Sequence, residues 1–188
     1  MGVCCIFYRL SGANLHALIK YPSLVYPLLD MDEPKPRPAS GFFSRLLGRA
    51  VPVPTAVEKP AGLPEPRDEA DVGDVDKAWP AIHFLLTGST KEKTDHPLGF
   101  LCSGGTIVAA GDFGFGPPRA FMPVQVAAIL SELNLLNSDI LLNRFMASKL
   151  AQRRGKDHFG YVWLHYERMR AFIEEARCKN QGLLVYLW

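Results

Sequence analysis

The chain has 188 residues, of which 48% are hydrophobic and 21% are charged, and it carries a formal net charge of +2. This composition is typical of one globular domain and excludes a disordered or disulfide-dense class. The near-neutral charge excludes a whole-molecule field that would attract nucleic acid or an anionic membrane. The sequence has no apolar run long enough to span a membrane and no secretory signal pattern, so we expect a cytoplasmic protein.

The first predicted element is a buried strand over residues 3–10, which are rich in β-branched and aromatic side chains. A Ser-Gly-Ala-Asn cluster over residues 11–14 ends this strand. We expect a short helix over residues 15–20 next, with Asn14 as its N-cap. Pro22 ends the helix because proline lacks an N–H and its ring clashes with the preceding turn.

A proline-rich segment over residues 32–70 interrupts the domain. It holds eight of the fifteen prolines and little aliphatic content, so it cannot bury enough apolar surface to offset its ordering entropy. We therefore predict a single domain over residues 1–188 in which residues 32–70 form an extended insertion or a mobile loop. One amphipathic island lies inside this segment, and we favour its docking onto the domain over an anchor for a partner or a membrane. Its apolar face consists of Phe42, Phe43, Leu46 and Leu47.

The best-defined helix covers residues 76–87. Asp76 is suited to be its N-cap, Pro80 falls in its first turn, and Gly88 ends it. Its buried stripe consists of Trp79, Ile82, His83 and Leu86. A second strand is predicted over residues 106–110, an apolar β-branched run bracketed by glycines.

The remainder of the chain predicts three helices and a closing strand. The helices cover residues 123–137, 138–155 and 157–179, and the strand covers residues 183–188. The order of elements predicts an α+β fold. In this fold the N-terminal, central and C-terminal strands form a small mixed sheet that packs against four to five helices.

Two motifs together resemble the signature of a known family. The first motif covers residues 76–88: it begins with Asp76-Lys77-Ala78-Trp79 and ends with His-Phe-Leu-Leu-Thr-Gly, which starts at His83. The second motif is Gly-Phe-Gly-Pro-Pro-Arg, which ends at Arg119. With the apolar first and last strands, this pattern is similar to the YfbM-like family of bacterial proteins of unknown function. The resemblance implies an α+β fold in a bacterial cytoplasmic protein. It carries no reaction, ligand or catalytic residue onto these positions.

Four residues are candidates for a binding site: Trp79, His83, Asp112 and Arg119. Trp79 and His83 are four residues apart and share one side of their helix. The imidazole of His83 could act as an acid, a base or a hydrogen-bond donor. A core histidine fixed by a backbone carbonyl is favoured, because no carboxylate at helical spacing is placed to orient the ring. Arg119 could bind an anion, but a pairing with Asp112 that fixes the glycine-rich loop is favoured.

Three other patterns give less support for a site. Cys102, in the run Cys-Ser-Gly-Gly, is the one suggestive nucleophile, yet spacing assigns it no histidine partner. His158 and His165 lie on one helix without a second cluster of metal ligands, so stacking with nearby tyrosines is preferred. The basic run within residues 149–156 could contact phosphate, but a solvated helix end explains it as well. No cofactor or metal is predicted.

The leading functional hypothesis is a non-catalytic protein-binding module, for example an immunity-type protein that masks a toxin. This hypothesis rests on two observations: the apolar positions form a complete hydrophobic framework, and the reactive side chains form no coherent set. The partner is then another protein, and nucleic acid is not favoured. The alternative is a small-ligand-binding protein or an enzyme, with a cleft between the His83 helix and the loop of residues 111–119 that uses His83 and Asp112.

Overall fold

The computed structural model describes residues 2–33, 62–63, 71–92, 94–109 and 113–188. Within them, five strands form one sheet in the order β2-β1-β5-β4-β3. The strands are β1 (Cys5–Ser11), β2 (Val72–Asp74), β3 (Thr106–Ile107), β4 (Arg119–Phe121) and β5 (Gln181–Leu187). The four pairings are antiparallel, so the mixed pairing predicted for the sheet is wrong, although its N-terminal, central and C-terminal origin is correct. Most of the predicted insertion, with Phe42, Phe43, Leu46 and Leu47, lies outside the described residues.

Seven α-helices accompany the sheet in the described ranges, where four to five were predicted. They are α1 (Gly12–Lys20), α2 (Val25–Leu28), α3 (Trp79–Thr87), α4 (Pro123–Leu133), α5 (Ser138–Met146), α6 (Lys149–Arg154) and α7 (His158–Cys178). The helix predicted over residues 138–155 is divided into α5 and α6, because the Ser148 side chain caps a new helix by accepting from the Ala151 N–H at 3.3 Å. The α+β class is confirmed.

The sheet is covered on both faces, because the two central strands alternate their side chains between two cores. Leu183, Val185 and Leu187 of β5 enter the core formed with α3, α4, α5 and α7, which we name the α7-side core. Leu184 and Tyr186 enter the core formed with α1 and α2, the α1-side core. The sheet is therefore the middle layer of three.

Two helix starts differ from the sequence-based expectation. Helix α1 begins two residues before Asn14, because the Ser11 hydroxyl accepts from the Asn14 N–H at 3.2 Å and Ser11 is the N-cap. Asp76 does not cap α3. It begins a 3-10 turn over Asp76–Ala78 with a left-handed φ of 47°, and its carboxylate binds side chains of other elements.

Arg9 is a buried charge that links three elements. The side chain is on β1, and the residue is 1% exposed. Its Nη2 lies 3.4 Å from Oδ1 of Asp71, and its Nη1 forms an ion pair with Glu175 of α7. The guanidinium also lies 4.6 Å from the ring centroid of Phe172. Since a buried charge is costly without a partner, these contacts hold α7 and the start of β2 against β1.

We predict that Trp79→Ala lowers the free energy of unfolding by about 3 to 5 kcal/mol, the range for deletion of a large buried aromatic side chain. Trp79 is 6% exposed, and its Nε1 donates to the Val3 carbonyl at 2.9 Å, so the variant loses both packing and a hydrogen bond. Urea denaturation followed by far-UV circular dichroism measures the change. As the control, Leu135→Ala alters a side chain that is 70% exposed and should change stability by less than about 0.5 kcal/mol. A loss below about 1 kcal/mol for Trp79→Ala would contradict its assignment to the core.

Candidate functional site

Trp79 occupies the first turn of α3, where the sequence placed it. Its indole is fixed from two sides, by the hydrogen bond to the Val3 carbonyl and by an edge contact with Phe115 at a centroid distance of 5.8 Å. Phe115 belongs to the Gly-Phe-Gly-Pro-Pro-Arg motif, so the two family-like motifs meet at this point. Pro80 costs no hydrogen bond here, because the first-turn N–H groups of a helix lack an intrahelical acceptor.

The turn after α3 positions a backbone carbonyl beside His83. Gly88 ends the helix with a left-handed φ of 71°, as its sequence position predicted. The Thr87 hydroxyl donates to the His83 carbonyl at 2.8 Å and accepts from the Ser89 N–H at 3.1 Å. The Ser89 hydroxyl in turn accepts from the Lys91 N–H at 3.0 Å. This chain of bonds folds residues 87–91 back along α3.

His83 is 2% exposed and both of its ring nitrogens have partners. Nε2 lies 2.8 Å from the Lys91 carbonyl oxygen, and Nδ1 lies 3.4 Å from Sγ of Cys102. A carbonyl oxygen can only accept, so Nε2 carries the ring hydrogen and Nδ1 accepts from the thiol. The neutral tautomer of His83 is therefore fixed by its surroundings.

Cys102 reaches His83 because of a tight turn around Gly99. The N–H groups of Cys102 and Ser103 both donate to the Gly99 carbonyl, at 3.1 and 2.9 Å. A Cβ atom on Gly99 would collide with the Thr94 side chain and with the Ser103 hydroxyl, so this approach requires glycine. Burial, the main cause, and the Glu92 carboxylate together raise the pKa of the Cys102 thiol to about 12. The thiol is thus protonated at neutral pH.

A cavity of about 600 Å³ lies against α3, and we name it the α3 cavity. Its apolar wall consists of Trp79, Pro80, Ala81, Phe84, Ala147 and Leu150. Its polar groups come from His83, Thr90, Glu92, Ser148 and Lys149. The α3 cavity is bounded by α3, by the turn that follows it and by the junction of α5 with α6, rather than by the loop of residues 111–119. Three ionisable side chains, those of His83, Glu92 and Lys149, therefore share one hollow.

A second cavity of about 110 Å³ lies beside the loop that the alternative hypothesis used, but it is lined by β5 and Cys102 and not by the His83 helix, and we name it the Cys102 cavity. Residues 115–117 and 119 of the glycine-rich loop and β4 form one side of it. Arg119 lines it with its Nη1 donating to the Gly104 carbonyl at 2.9 Å. Glu92 lines both cavities, and Cys102 lies between His83 and this one. Asp112, the proposed partner of Arg119, lies outside the described residues, so that pairing stays a prediction.

Of the four sequence candidates, Trp79 and His83 line the α3 cavity, and Arg119 lines the Cys102 cavity. Sequence reasoning missed Glu92 and Lys149 as cavity residues and missed the contact of Cys102 with His83. The one signal that could have indicated this contact was the Cys102 thiol, which lies in a glycine-rich run and had no base assigned to it from the sequence. The separation of 19 positions between His83 and Cys102 follows no helical or strand period, so spacing alone could not pair them.

A separate polar cluster surrounds Asp76. Tyr161 donates to Oδ2 of Asp76 at 2.9 Å, and the Cys4 thiol donates to Oδ1 at 3.5 Å. The hydrogen bond from Tyr161 is the main cause that lowers the pKa of Asp76. Tyr161 itself has a pKa raised to about 12, first by burial and then by the neighbouring carboxylate. These contacts join α7 and the residue before β1 to the 3-10 turn before α3.

The other sequence candidates give no assembled site. His158 stacks on Tyr161 at a centroid distance of 5.3 Å, and His165 contacts the same ring edge-on at 4.6 Å. Among the described residues, no three His, Cys, Asp or Glu side chains are grouped to hold a metal ion. Arg153 and Arg154 lie in the last turn of α6, where cations suit the negative end of the helix dipole. In the part of the chain that the structure describes, no helix is both long and apolar enough to cross a membrane.

Comparisons with known proteins bear on the family and on the fold. A family model described as a domain of unknown function (DUF1877) matches residues 1–186. The crystal structure of YfbM from Escherichia coli, described as a protein of unknown function, is similar with a TM-score of 0.60 over 98% of this chain and 99% of that chain. At 14% identity this likeness concerns the fold alone. A search of curated proteins gives no significant match. The YfbM-like resemblance is confirmed.

The Asp76 cluster predicts a pH-dependent contribution to stability. A carboxyl whose pKa is lower in the folded state stabilises the fold above its unfolded pKa, near the ordinary value of 3.8, and this contribution is lost as the pH falls through the folded pKa. Tyr161→Phe removes the bond to the ionised form, so the Asp76 pKa should rise toward 3.8 and the variant should be less stable at pH 7. NMR titration of the carboxyl and urea denaturation at pH 7 and pH 3 measure both effects.

The control for this prediction is Tyr21→Phe, which alters a partly buried tyrosine of the α1-side core. It should leave the Asp76 titration unchanged. A wild-type Asp76 that titrates at 3.8 or above, or a Tyr161→Phe variant with an unaltered Asp76 pKa, would contradict the assigned hydrogen bond.

Proposed function

This chain belongs to the DUF1877 family, whose function is unknown, and we propose that within this family it acts as a small-ligand-binding protein that uses the α3 cavity. The observation that carries the proposal is the hollow of about 600 Å³ beside Trp79 and His83. Ligand pockets of proteins commonly measure about 300 to 1,000 Å³ and combine an apolar wall with a few polar groups. The α3 cavity has this size and this composition.

The chemistry of the wall favours a ligand with an apolar body. Trp79, Phe84 and Leu150 offer aromatic and aliphatic surface, and transfer of apolar area out of water contributes about 25 cal/mol per Å². Glu92 and Lys149 are exposed residues of opposite charge that line the same cavity. We place the polar end of the ligand beside these two side chains. Both nitrogens of His83 are already hydrogen-bonded, so His83 contributes ring surface to this cavity rather than a free donor.

The sequence-based hypothesis of a non-catalytic protein-binding module, including its immunity-type form, stays a prediction, as does the cytoplasmic location. The small-ligand proposal corresponds to the alternative hypothesis, but its cavity lies between α3 and the junction of α5 with α6 instead of at the loop of residues 111–119.

The proposal is tested with 8-anilinonaphthalene-1-sulfonate, a fluorescent probe with an apolar body and one anionic group. We expect saturable binding at one site per chain. Ala147→Trp should weaken it about tenfold or more, because an indole at this exposed cavity residue fills the space that the probe occupies. Fluorescence titration measures the dissociation constant.

The matched control is Ala171→Trp, which places the same side chain on an exposed position of α7 that does not line the cavity. It should bind the probe like the wild type. Equal affinity in both variants and the wild type would refute the proposal. A stoichiometric protein partner from host extract, bound equally by Ala147→Trp and without any probe binding, would support the protein-binding hypothesis instead.

A further inference from the structure

The contact between Cys102 and His83 has the geometry of a nucleophile held by a base. Sγ lies 3.4 Å from Nδ1, and Nε2 of the same ring lies 2.8 Å from the Lys91 carbonyl oxygen. A nucleophile within hydrogen-bond reach of a base, with a third group that orients the base, is the arrangement by which enzymes activate serine and cysteine. The three groups come from three segments of the chain that fold together.

The Lys91 carbonyl determines which nitrogen of His83 can accept the thiol proton. Because it holds the hydrogen on Nε2, the lone pair on Nδ1 faces the thiol. His83 can therefore take the thiol proton without turning its ring. After the transfer, the imidazolium keeps its bond to the Lys91 carbonyl, and its charge strengthens that bond.

The thiol is neutral at rest, since burial and Glu92 raise the pKa of Cys102 to about 12. A preformed thiolate is therefore scarce at neutral pH. Attack on an electrophile requires proton transfer to His83 while the new bond to sulfur forms, which is general-base catalysis.

The Cys102 cavity provides room for a small acyl group and a positive charge beside it. Its volume of about 110 Å³ accommodates a few non-hydrogen atoms and excludes a long acyl chain. Arg119 and Glu92 both line it, and Arg119 is held in place by its bond to the Gly104 carbonyl. A fixed cation near a carbonyl under attack stabilises the negative charge that develops on the oxygen.

We propose that Cys102 is the nucleophile and His83 the general base of an acyl-transfer site that accepts a short acyl group from an activated ester or thioester. Sγ bonds to the carbonyl carbon while the thiol proton passes to Nδ1. Collapse of the tetrahedral intermediate breaks the bond to the leaving group, which takes the proton from Nδ1 and departs as an alcohol or thiol. The product is an acyl thioester on Cys102. This site does not depend on ligand binding in the α3 cavity.

The test uses the full chain and p-nitrophenyl acetate, whose acetyl group suits the cavity. We expect a burst of one equivalent of p-nitrophenol per chain and an acetyl group on Cys102, located by peptide mass spectrometry. The exposed Cys178 is a reference thiol in the same molecule. Cys102 should be acetylated about 100-fold faster than Cys178, the smaller end of the range for general-base catalysis. Equal rates, or acetylation at Cys178 without Cys102, would overturn the proposal.

Variants separate catalysis from a structural role of the thiol. Cys102→Ala should remove the burst, and Cys178→Ala should retain it. His83→Gln keeps an amide donor near the Lys91 carbonyl but has no base, so the burst should slow about 100-fold or more. A folded His83→Gln variant with an unchanged burst would refute the role of His83. If this variant fails to fold, the comparison of Cys102 with Cys178 in the wild type still decides the proposal.

Discussion

The pairing of β1 with β5 at the centre of the sheet is the constraint on which the rest of the structure depends. Seven consecutive residue pairs, from Cys5 with Leu187 to Ser11 with Gln181, join the two strands in antiparallel register. Each strand then carries one neighbour, β2 on β1 and β4 on β5. Since side chains alternate along a strand, a slip by one residue would exchange the α7-side and α1-side cores. The register therefore fixes the composition of both cores. It also fixes the position at which Trp79 of α3 meets Val3 near the N-terminus.

The same pairing also positions the candidate site. The Val3 carbonyl that holds Trp79 precedes β1 by two residues, and the Cys102 cavity is closed on one side by Val185 and Leu187 of β5. Thus the indole and the thiol are both placed by the central strands, although they lie on different segments. His83 lies between the indole and the thiol. Its ring lines the α3 cavity, and its Nδ1 contacts the thiol of Cys102, which lines the Cys102 cavity. A substitution of His83 would therefore alter both sites, whereas Ala147 and Cys102 each belong to one.

Elements with a long periodic pattern could be predicted from the sequence, whereas among the short strands only β3 falls within a predicted strand. The 21 residues of α7 and the apolar run of β5 were found within two residues of their bounds, because several turns or alternations repeat the same signal. Strands β2 and β4 have three residues each, too few to show an alternation. Asp76 was misread as a cap because its distant partners, Tyr161 and Cys4, outweigh the local preference of aspartate for helix starts. The candidate site divides in the same way: Trp79 and His83 followed from helical spacing, while the partnership with Cys102 is a tertiary contact.

The positions of the shortest strands at the two borders of the sheet have a consequence for solubility during folding. An unpaired border strand offers its backbone N–H and C=O groups to other molecules, and long flat ones promote intermolecular sheet growth. Here the borders are β2, with three residues, and β3, with two. The longest and most apolar strands, β1 and β5, are enclosed between neighbours. Within the described residues, the order of strands thus leaves a brief template for a foreign chain, and the long strands β1 and β5 are protected as soon as the centre of the sheet has formed.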